Sequence, residues 1–299
     1  NKDEFRRVVV LDNPKKTLPS GWNVALREYK GDAIIKVDAH AVIPEDFVSK
    51  NVRVLETGEY ICGGQRPNII DKPTPFKETL LLAESSMFGS SIASYRNNPG
   101  KTYVKSLFHA AYRREVFEKV GFFNEELVRT EDNEIHYRMR KAGYKLCFDP
   151  DIISYQYTRS SLKAMLKQKY ANGYWIGKTS KVCPKCLSIY HFVPFAFVSA
   201  IIASGSVIGA TGLAECIKKR HNHTLGKGIS ALRKVTVVLT TVMWVLYALM
   251  ASGMAAVSAF KAEDKRNITN ACLPVLFLLL HLSYGIGTIA GLMDKSKRG

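Results

Sequence analysis

The spacing of apolar residues along this chain changes near residue 188. Before it they come in short runs broken by turn signals, and after it they come in long spans. Residues 7–11 (RVVVL) predict a short buried strand, closed by the turn Asp12-Asn13-Pro14. Residues 22–29 have helical spacing, with Trp22, Ala25, Leu26 and Tyr29 on one face. Residues 33–37 (AIIKV) predict a second strand that ends at Asp38, and Pro44-Glu45-Asp46 opens a helix reaching about Glu56. Residues 61–64 (ICGG) end a strand in a glycine turn, and 66–76, rich in Pro and Asn, predict a loop. Further on, 113–120 and 131–142 read as helices, the second stopped by Gly143. Short strands follow at 146–148 and 152–155, and Ser160 is placed to cap a basic helix reaching about Trp175. Alternating strands and helices predict an α/β domain with a mostly parallel sheet. Ligands of such sheets gather beyond the carboxyl ends of the strands, where Asp38 falls.

The later spans are 192–213, 235–260 and 272–293, and none contains Asp, Glu, Lys or Arg. Each is long enough to cross a hydrocarbon core of ~30 Å. The chain therefore divides into a domain at 1–188, ending in a basic juxtamembrane helix, and a membrane region at 189–299 with about three apolar helices. Pro194 and several Gly and Ser residues interrupt the first span, which leaves two readings open: a full crossing, or a segment that enters and returns on one side.

A net charge of +17 could mark a nucleic-acid partner. The bases, however, are scattered or flank the apolar spans, as with Lys178, Lys181 and Lys185 before the first and Lys218, Lys219, Arg220, Lys227, Arg233 and Lys234 after it. That placement suits anionic lipid headgroups, so membrane lipids are the expected partner and nucleic acid is not. Cys183-Pro-Lys-Cys186 has metal-like spacing but no second pair, and reads as two reduced thiols. The sequence opens on Asn1, not Met, so further chain is expected ahead of it.

Two acidic strings carry candidate chemistry. Asp38-Ala39-His40 follows a strand, and a carboxylate and an imidazole two residues apart can meet at one Mn²⁺ or Mg²⁺ shared with phosphate oxygens. A surface Asp beside a loop His is the plainer reading. Glu131-Asp132 opens a helix, where first-turn N–H groups and the dipole favour anions. Thr130 or Asp132 could simply cap that helix, or Asp132 could serve as a general base toward an acceptor hydroxyl. The rings and amide of 168–175 (QKYANGYW) suit either stacking on a sugar face or anchoring at a membrane interface.

Four stretches carry a resemblance: GDAIIKVDAHAVIPEDFV, AAYRREVFEKVGFFNEELVRTEDNEIHYRMRKAG, QKYANGYW and HLSYGIGTIAGL. In these the chain resembles the bacterial membrane-bound family 2 glycosyltransferases, and within them the succinoglycan-type exopolysaccharide glucosyltransferase branch, which carries a DAH variant of the DxD motif. The resemblance implies a GT-A (Rossmann-like) domain followed by transmembrane helices. It implies that Asp38 and His40 bind the metal–diphosphate, that Asp132 is the catalytic base, and that Arg113 and Arg114 lie near the donor or acceptor pocket. Glu131, Gln168 and Trp175 fall on the acceptor side, the last two resembling the QxxRW signature of processive synthases with longer spacing and no Arg. The family's first two strands, with the Asp that holds the nucleobase, have no counterpart here. The domain is thus expected to lack its first strands and to hold a nucleotide sugar weakly by itself.

The expected activity is inverting transfer of a hexose from a nucleotide sugar, a UDP-sugar by preference, to a lipid-linked saccharide. The expected setting is the inner membrane, with a multi-pass anchor and a cytoplasmic catalytic domain. If every span crosses, the basic loop 214–234 lies outside, against the positive-inside tendency. The alternatives are a basic membrane or nucleic-acid binding protein without catalysis, and a degenerate paralogue acting as an assembly partner.

Overall fold

The computed structural model describes residues 7–89, 100–220, 226–262 and 267–295. The elements begin with α1 (Leu18–Glu28), β1 (Ala33–Ile35), β2 (Ala41–Val42), α2 (Phe47–Glu56), β3 (Ile61–Gln65), β4 (Asn68–Ile69) and α3 (Pro75–Ser85). They continue with β5 (Thr102–Val104), β6 (Ala110–Arg113), α4 (Arg114–Val120), α5 (Glu131–Lys141), β7 (Leu146–Ile153) and β8 (Tyr155–Tyr157). Four long helices close the chain: α6 (Leu162–Val182), α7 (Val193–Arg220), α8 (Lys227–Lys261) and α9 (Leu273–Met293).

The main sheet has five strands in the order β1-β6-β3-β7-β5. β1, β3 and β7 share one direction, but β3–β7 is the one parallel pair of neighbours among the described strands of this sheet; β6 is antiparallel to both β1 and β3, and β5 to β7. The sheet is therefore mixed, not mostly parallel, because β6 inserts between two strands that α2 would otherwise bring side by side. A smaller sheet, β2-β8-β4, lies beside it. Side chains alternate across the main sheet. Ile61, Tyr112, Leu146 and Phe148 pack one face against Val116, Ile135 and Met139 of α4 and α5. Cys62, Ala111 and Cys147 pack the other against Phe47, Val54 and Leu55 of α2. Each large apolar side chain so buried contributes about 1.5–3 kcal/mol.

Several expectations need correction. Residues 7–11 form no strand; Val8, Val9 and Val10 are exposed and pair with nothing described. An apolar run without a hydrogen-bonding neighbour has no reason to extend into a sheet. The loop read at 66–76 contains β4, and α3 is an additional helix, capped by Thr74. Ser161, not Ser160, caps α6, and α6 continues past Trp175 to Val182. Its glycines do not end it, because they are the surface on which α9 packs. A Cβ at Gly173 would lie 2.0 Å from the Tyr284 carbonyl oxygen, and one at Gly287 would lie 2.1 Å from that of Tyr170. Small residues on both helices thus let the backbones touch.

The apolar spans are continuous helices, Ile189–Arg220, Lys227–Lys261 and Ile268–Met293, each long and apolar enough to cross a membrane. The first contains no break at Pro194, so it has the shape of a full crossing and not of a segment that turns back. The three differ in cover: 6% of the apolar window is buried in each of the first two, against 39% in the third. α9 is held at its start by Asn270, which accepts from Thr79 Oγ1 of α3 (2.7 Å), and just past its end by Lys178 of α6, 3.3 Å from Asp294. α7 and α8 instead form an antiparallel pair with mostly free flanks.

Two expectations follow. Gly287→Ala should push α6 and α9 apart and cost about 1–3 kcal/mol of overpacking. It should lower the thermal midpoint in detergent, while Gly205→Ala, where an added Cβ meets nothing within 4 Å, should not. Equal midpoints would contradict the close seam. A cysteine introduced at position 222 should be labelled only from the membrane face opposite the one that labels a cysteine at exposed Lys145, with Cys183, Cys216 and Cys272 replaced. Labelling of both from one face would show that α7 does not cross.

Candidate active site

Beyond β1 the backbone keeps one more sheet bond, from Lys36 N–H to the Ala110 carbonyl (2.9 Å), and then turns so that Ala41 N–H reaches the Asp38 carbonyl (3.0 Å). This exit carries Lys36 and Asp38 into the space in front of α5. The Lys36 ammonium lies 2.5 Å from Asp132 Oδ1 and 3.9 Å from Glu131 Oε1, its side chain only 5% exposed. Trp22, Phe108 and Phe123 surround it, with ring centroids 5.5–5.9 Å away. Burial lowers the Lys36 pKa, but the attraction of Asp132 and Glu131 outweighs it and leaves the value raised. The lysine stays charged.

The two carboxylates differ sharply. Glu131 is almost fully buried, and burial, with Asp132 beside it, pushes its pKa up to about 8. Both causes favour its protonated form. Asp132 is the Lys36 partner and more open, its side chain 17% exposed. Both sit in the first turn of α5, where the helix dipole favours negative charge. Thr130, placed to cap that turn, makes no capping bond; its hydroxyl meets Thr179 Oγ1 of α6 at 2.5 Å. His136, on the same helix, is pushed down to about 4 by burial and is satisfied by Tyr112 Oη and Ser106 Oγ, so it stays neutral.

Asp38 lies near this group. Burial raises its pKa, yet His109, Lys36 and His40 together hold it below the ordinary carboxylate value. Its Oδ1 is buried and has no hydrogen-bond partner. An orphaned anionic oxygen is what a bound cation would satisfy, so the residues fit a divalent metal. Among the described residues no three His, Cys, Asp or Glu side chains group to hold an ion. A metal here would draw further ligands from phosphate oxygens and water. His40 is exposed, and its Nε2 accepts from the Gln156 amide of β8 at 2.7 Å.

On α6, Gln168, Asn172, Trp175 and Thr179 share one face by their spacing. That face is tied to the approach to α5 by Arg129, which donates to Asn172 Oδ1 (3.1 Å), and by the Thr130–Thr179 bond. Trp175 is 8% exposed, so it faces protein and is not an interface anchor, and Gln168 Oε1 is buried without a hydrogen-bond partner. Glu131 faces the lysine, its side chain 4% exposed, and not an open acceptor surface.

Arg113 and Arg114 require correction. Arg113 pairs with Ala33 at the start of β1, five residues and ~16 Å of strand from Asp38. Arg113 donates to the Leu55 and Glu59 carbonyls, and Arg114 to those of Tyr29 and Gly31 while lying over the Tyr29 ring. Both bond to turn carbonyls at the end of β1 away from Asp38. Lys36 and His109 were given no role by the motif reading. A lysine inside the apolar run AIIKV was the available signal for the first, since buried lysines are rare without partners.

Comparison with known proteins matches residues 33–287 to the family described as Glycosyl transferase family group 2. Similar proteins include the "Succinoglycan biosynthesis protein ExoA" of Rhizobium meliloti, 29% identical over 175 residues, covering 57% of this chain and 52% of that one. Another is the "Dolichyl N-acetyl-alpha-D-glucosaminyl phosphate 3-beta-D-2,3-diacetamido-2,3-dideoxy-beta-D-glucuronosyltransferase" of Methanococcus voltae, 23% identical over 209 residues, covering 68% and 64%. A third is the "O-antigen chain rhamnosyltransferase RfbN" of Salmonella typhimurium, 29% identical over 133 residues, 42% of each chain. The chain thus spans about half to two thirds of the length of the first two relatives. With a match that takes in β1, both acidic strings and most of α9, the chain belongs to glycosyl transferase family group 2.

Proposed function

We propose that this chain carries the catalytic machinery of a metal-dependent, inverting hexosyltransferase. It would move a sugar from a nucleotide donor, a UDP-sugar by preference, to a lipid-linked saccharide in exopolysaccharide, capsule or cell-envelope glycan synthesis. The observation that carries this reading is the buried Lys36–Asp132 pair at the start of α5, close to an Asp38 carboxylate with an unsatisfied oxygen. The likeness to a succinoglycan biosynthesis protein and to an O-antigen rhamnosyltransferase supports the substrate class.

In this mechanism Asp132 takes the proton of the acceptor hydroxyl, which attacks the anomeric carbon from the face opposite the leaving diphosphate. Lys36 holds Oδ1, and Oδ2 receives the proton. The raised pKa of Glu131 favours its protonated form, which leaves Asp132 as the direct partner of Lys36 and the base of this mechanism. Asp38, with His40 on the same turn, would hold Mn²⁺ or Mg²⁺, which when bound neutralises the departing diphosphate. Gln168 and Trp175 lie on the acceptor side, where the α6 face meets the approach to α5. The lipid acceptor gives the apolar helices their purpose: they keep the site at headgroup level. The domain works on the cytoplasmic face of the inner membrane, where nucleotide sugars are made, and the basic residues next to the spans meet anionic lipid.

Radiolabel transfer to membrane lipid, with a panel of nucleotide sugars, tests the reading in the full-length enzyme. One donor should label lipid, and Asp132→Asn should cut that rate by about 10²–10⁴. An Asp132→Asn enzyme within a few-fold of wild type would remove the base, and no transfer from any donor would remove the activity.

The protonation of Glu131 is tested through stability. Its folded pKa, about 8, lies above the unfolded carboxylate value, so the folded state holds the extra proton and loses stability as pH rises from about 4.5 to about 8. Glu131→Gln keeps the neutral form at every pH. Its thermal midpoint relative to wild type should rise between pH 5 and pH 8, and a difference independent of pH would show that Glu131 is ionised throughout.

A further inference from the structure

α9 is apolar and long enough to cross a membrane, yet its contacts do not suit a crossing helix. α6 lies beside it along its whole length, and the two run parallel. Met165 shares a buried cluster with Leu273, Leu276 and Phe277. Gly173 sits against Tyr284, Gly177 against Thr288 and Gly291, and Lys178 meets Asp294. Backbones in contact at Gly173 and Gly287 leave no room for lipid between the helices. The two therefore stand at one position relative to a bilayer. α6 carries Lys163, Lys167, Lys169, Lys178 and Lys181 and no acidic residue. A helix so charged does not sit in hydrocarbon.

Both ends of α9 are held by the same domain. At its start, Asn267 Nδ2 and Thr269 Oγ1 donate to the Pro75 carbonyl of α3, at 3.3 and 3.1 Å. At its end, the Asp294 carboxylate accepts from Tyr174 Oη of α6, and the Asp294 carbonyl accepts from Lys181 Nζ at 2.9 Å. Glu84 and Lys169 join α3 to α6, and Thr179 joins α6 to Thr130 ahead of α5. A 21-residue helix, ~31 Å long, is thus bonded at each end to one charged domain, which stands on one side of the membrane. α7 and α8 behave otherwise. Pro194 and Val198 touch α9 at Gly285, near its middle, and Tyr247 Oη lies 3.0 Å from His281 Nδ1. From that level the two helices run away together as far as the ion pair of Glu215 and Arg233.

We infer that α9 does not cross the bilayer: it lies in the headgroup boundary of the leaflet on the domain's side, and α7 and α8 are the crossing pair. Its surface fits that place. Val275, Leu279, Leu282, Ile286, Ile289 and Met293 recur at i, i+4, i+7, i+11, i+14 and i+18, one apolar stripe that is exposed or half-buried, while α6 and α3 cover the opposite side. Lipid acyl chains are the occupant of this stripe. The edge of α6 that borders α9 carries Lys163, Lys167, Tyr170, Tyr174, Lys178 and Lys181 at nearly the same spacing, and the backbones of its two tyrosines rest on Gly287 and Gly291. A row of lysines and tyrosines beside an apolar stripe is the pattern of a boundary helix, with ammonium groups at the lipid phosphates and rings at headgroup level.

Proteoliposomes of phosphatidylethanolamine and phosphatidylglycerol, holding the full-length protein with Cys183, Cys216 and Cys272 replaced, test this without any turnover. Ile268 and Lys295 flank α9 and are exposed. Ile268→Cys and Lys295→Cys should each be labelled by an impermeant maleimide from the face that labels Lys145→Cys. Nitroxides placed in turn at Val275, Ile286 and Met293 should all collide more often with oxygen than with a water-soluble nickel chelate. They should report one shared depth, about 5–10 Å into the boundary. On a crossing helix Ile286 would lie roughly 16 Å along the axis from Val275, and far deeper. Labelling of positions 268 and 295 from opposite faces overturns the inference, as does a depth that changes steeply from Val275 to Ile286. Thermal unfolding checks each variant, and should Ile268→Cys or Lys295→Cys not fold, the three depths decide by themselves.

Discussion

A lysine ammonium buried among aromatic rings must find anions, and Lys36 finds them 96 residues further along the chain. Removing one partner of a buried pair leaves an uncompensated charge, a loss of about 3–5 kcal/mol. That constraint fixes the exit of β1 against the first turn of α5. Asp38, two residues beyond Lys36, is carried to the same place by the same strand. The acidic strings are brought together by a positive charge that neither contains, and the candidate site inherits its rigidity from a fold-stabilising pair.

A second set of contacts connects this centre to the membrane side. Thr130 and Arg129, just ahead of Glu131, are bonded to Thr179 and Asn172 of α6. Lys169, one face over, is ion-paired with Glu84 of α3 at 3.1 Å, and Glu84 also accepts from Thr158 (2.6 Å). α6 is then zipped to α9 through glycines on both helices. The acceptor-side face of α6 therefore cannot shift without disturbing either the start of α5 or the α9 seam. With the lipid-linked acceptor proposed above, this coupling would hold Asp132 at a set height relative to the headgroups, so that positioning of the acceptor would not depend on affinity for its sugar alone.

Legibility in the sequence followed the range of the signal. Asp38 and Glu131-Asp132 stood out because each lies at the end of a local, strongly patterned element, and the apolar spans because their length and lack of charge show in the sequence by themselves. β6 did not, since a strand of four residues (AAYR) running straight into α4 has no period of its own; its place between β1 and β3 is set by long-range pairing. That strand is also why the sheet is mixed. Arg113 and Arg114 were placed near the donor or acceptor pocket by the family resemblance alone, and their neighbours are the carbonyls of turns. His109 carried no local signal, because what distinguishes it is Asp38 on one side and Ser154 on the other.

Adjacent acids on one helix turn, near the same lysine, meet different surroundings, and the reason is distance. Asp132 meets the ammonium at 2.5 Å with part of its side chain open, so its charge is matched by a direct partner. Glu131 stands 3.9 Å off, nearly sealed from water, with Oε2 left without a partner, so desolvation dominates and raises its pKa. Had both been ionised, the Lys36 charge would have been divided between them and the base would have faced a second anion. Had both been protonated, the lysine would have been stranded. Sealing one acid and opening the other leaves a single carboxylate whose charge is balanced from behind and whose second oxygen is available in front. In the proposed mechanism this division needs no metal and no substrate, so Asp132 would be prepared before either arrives.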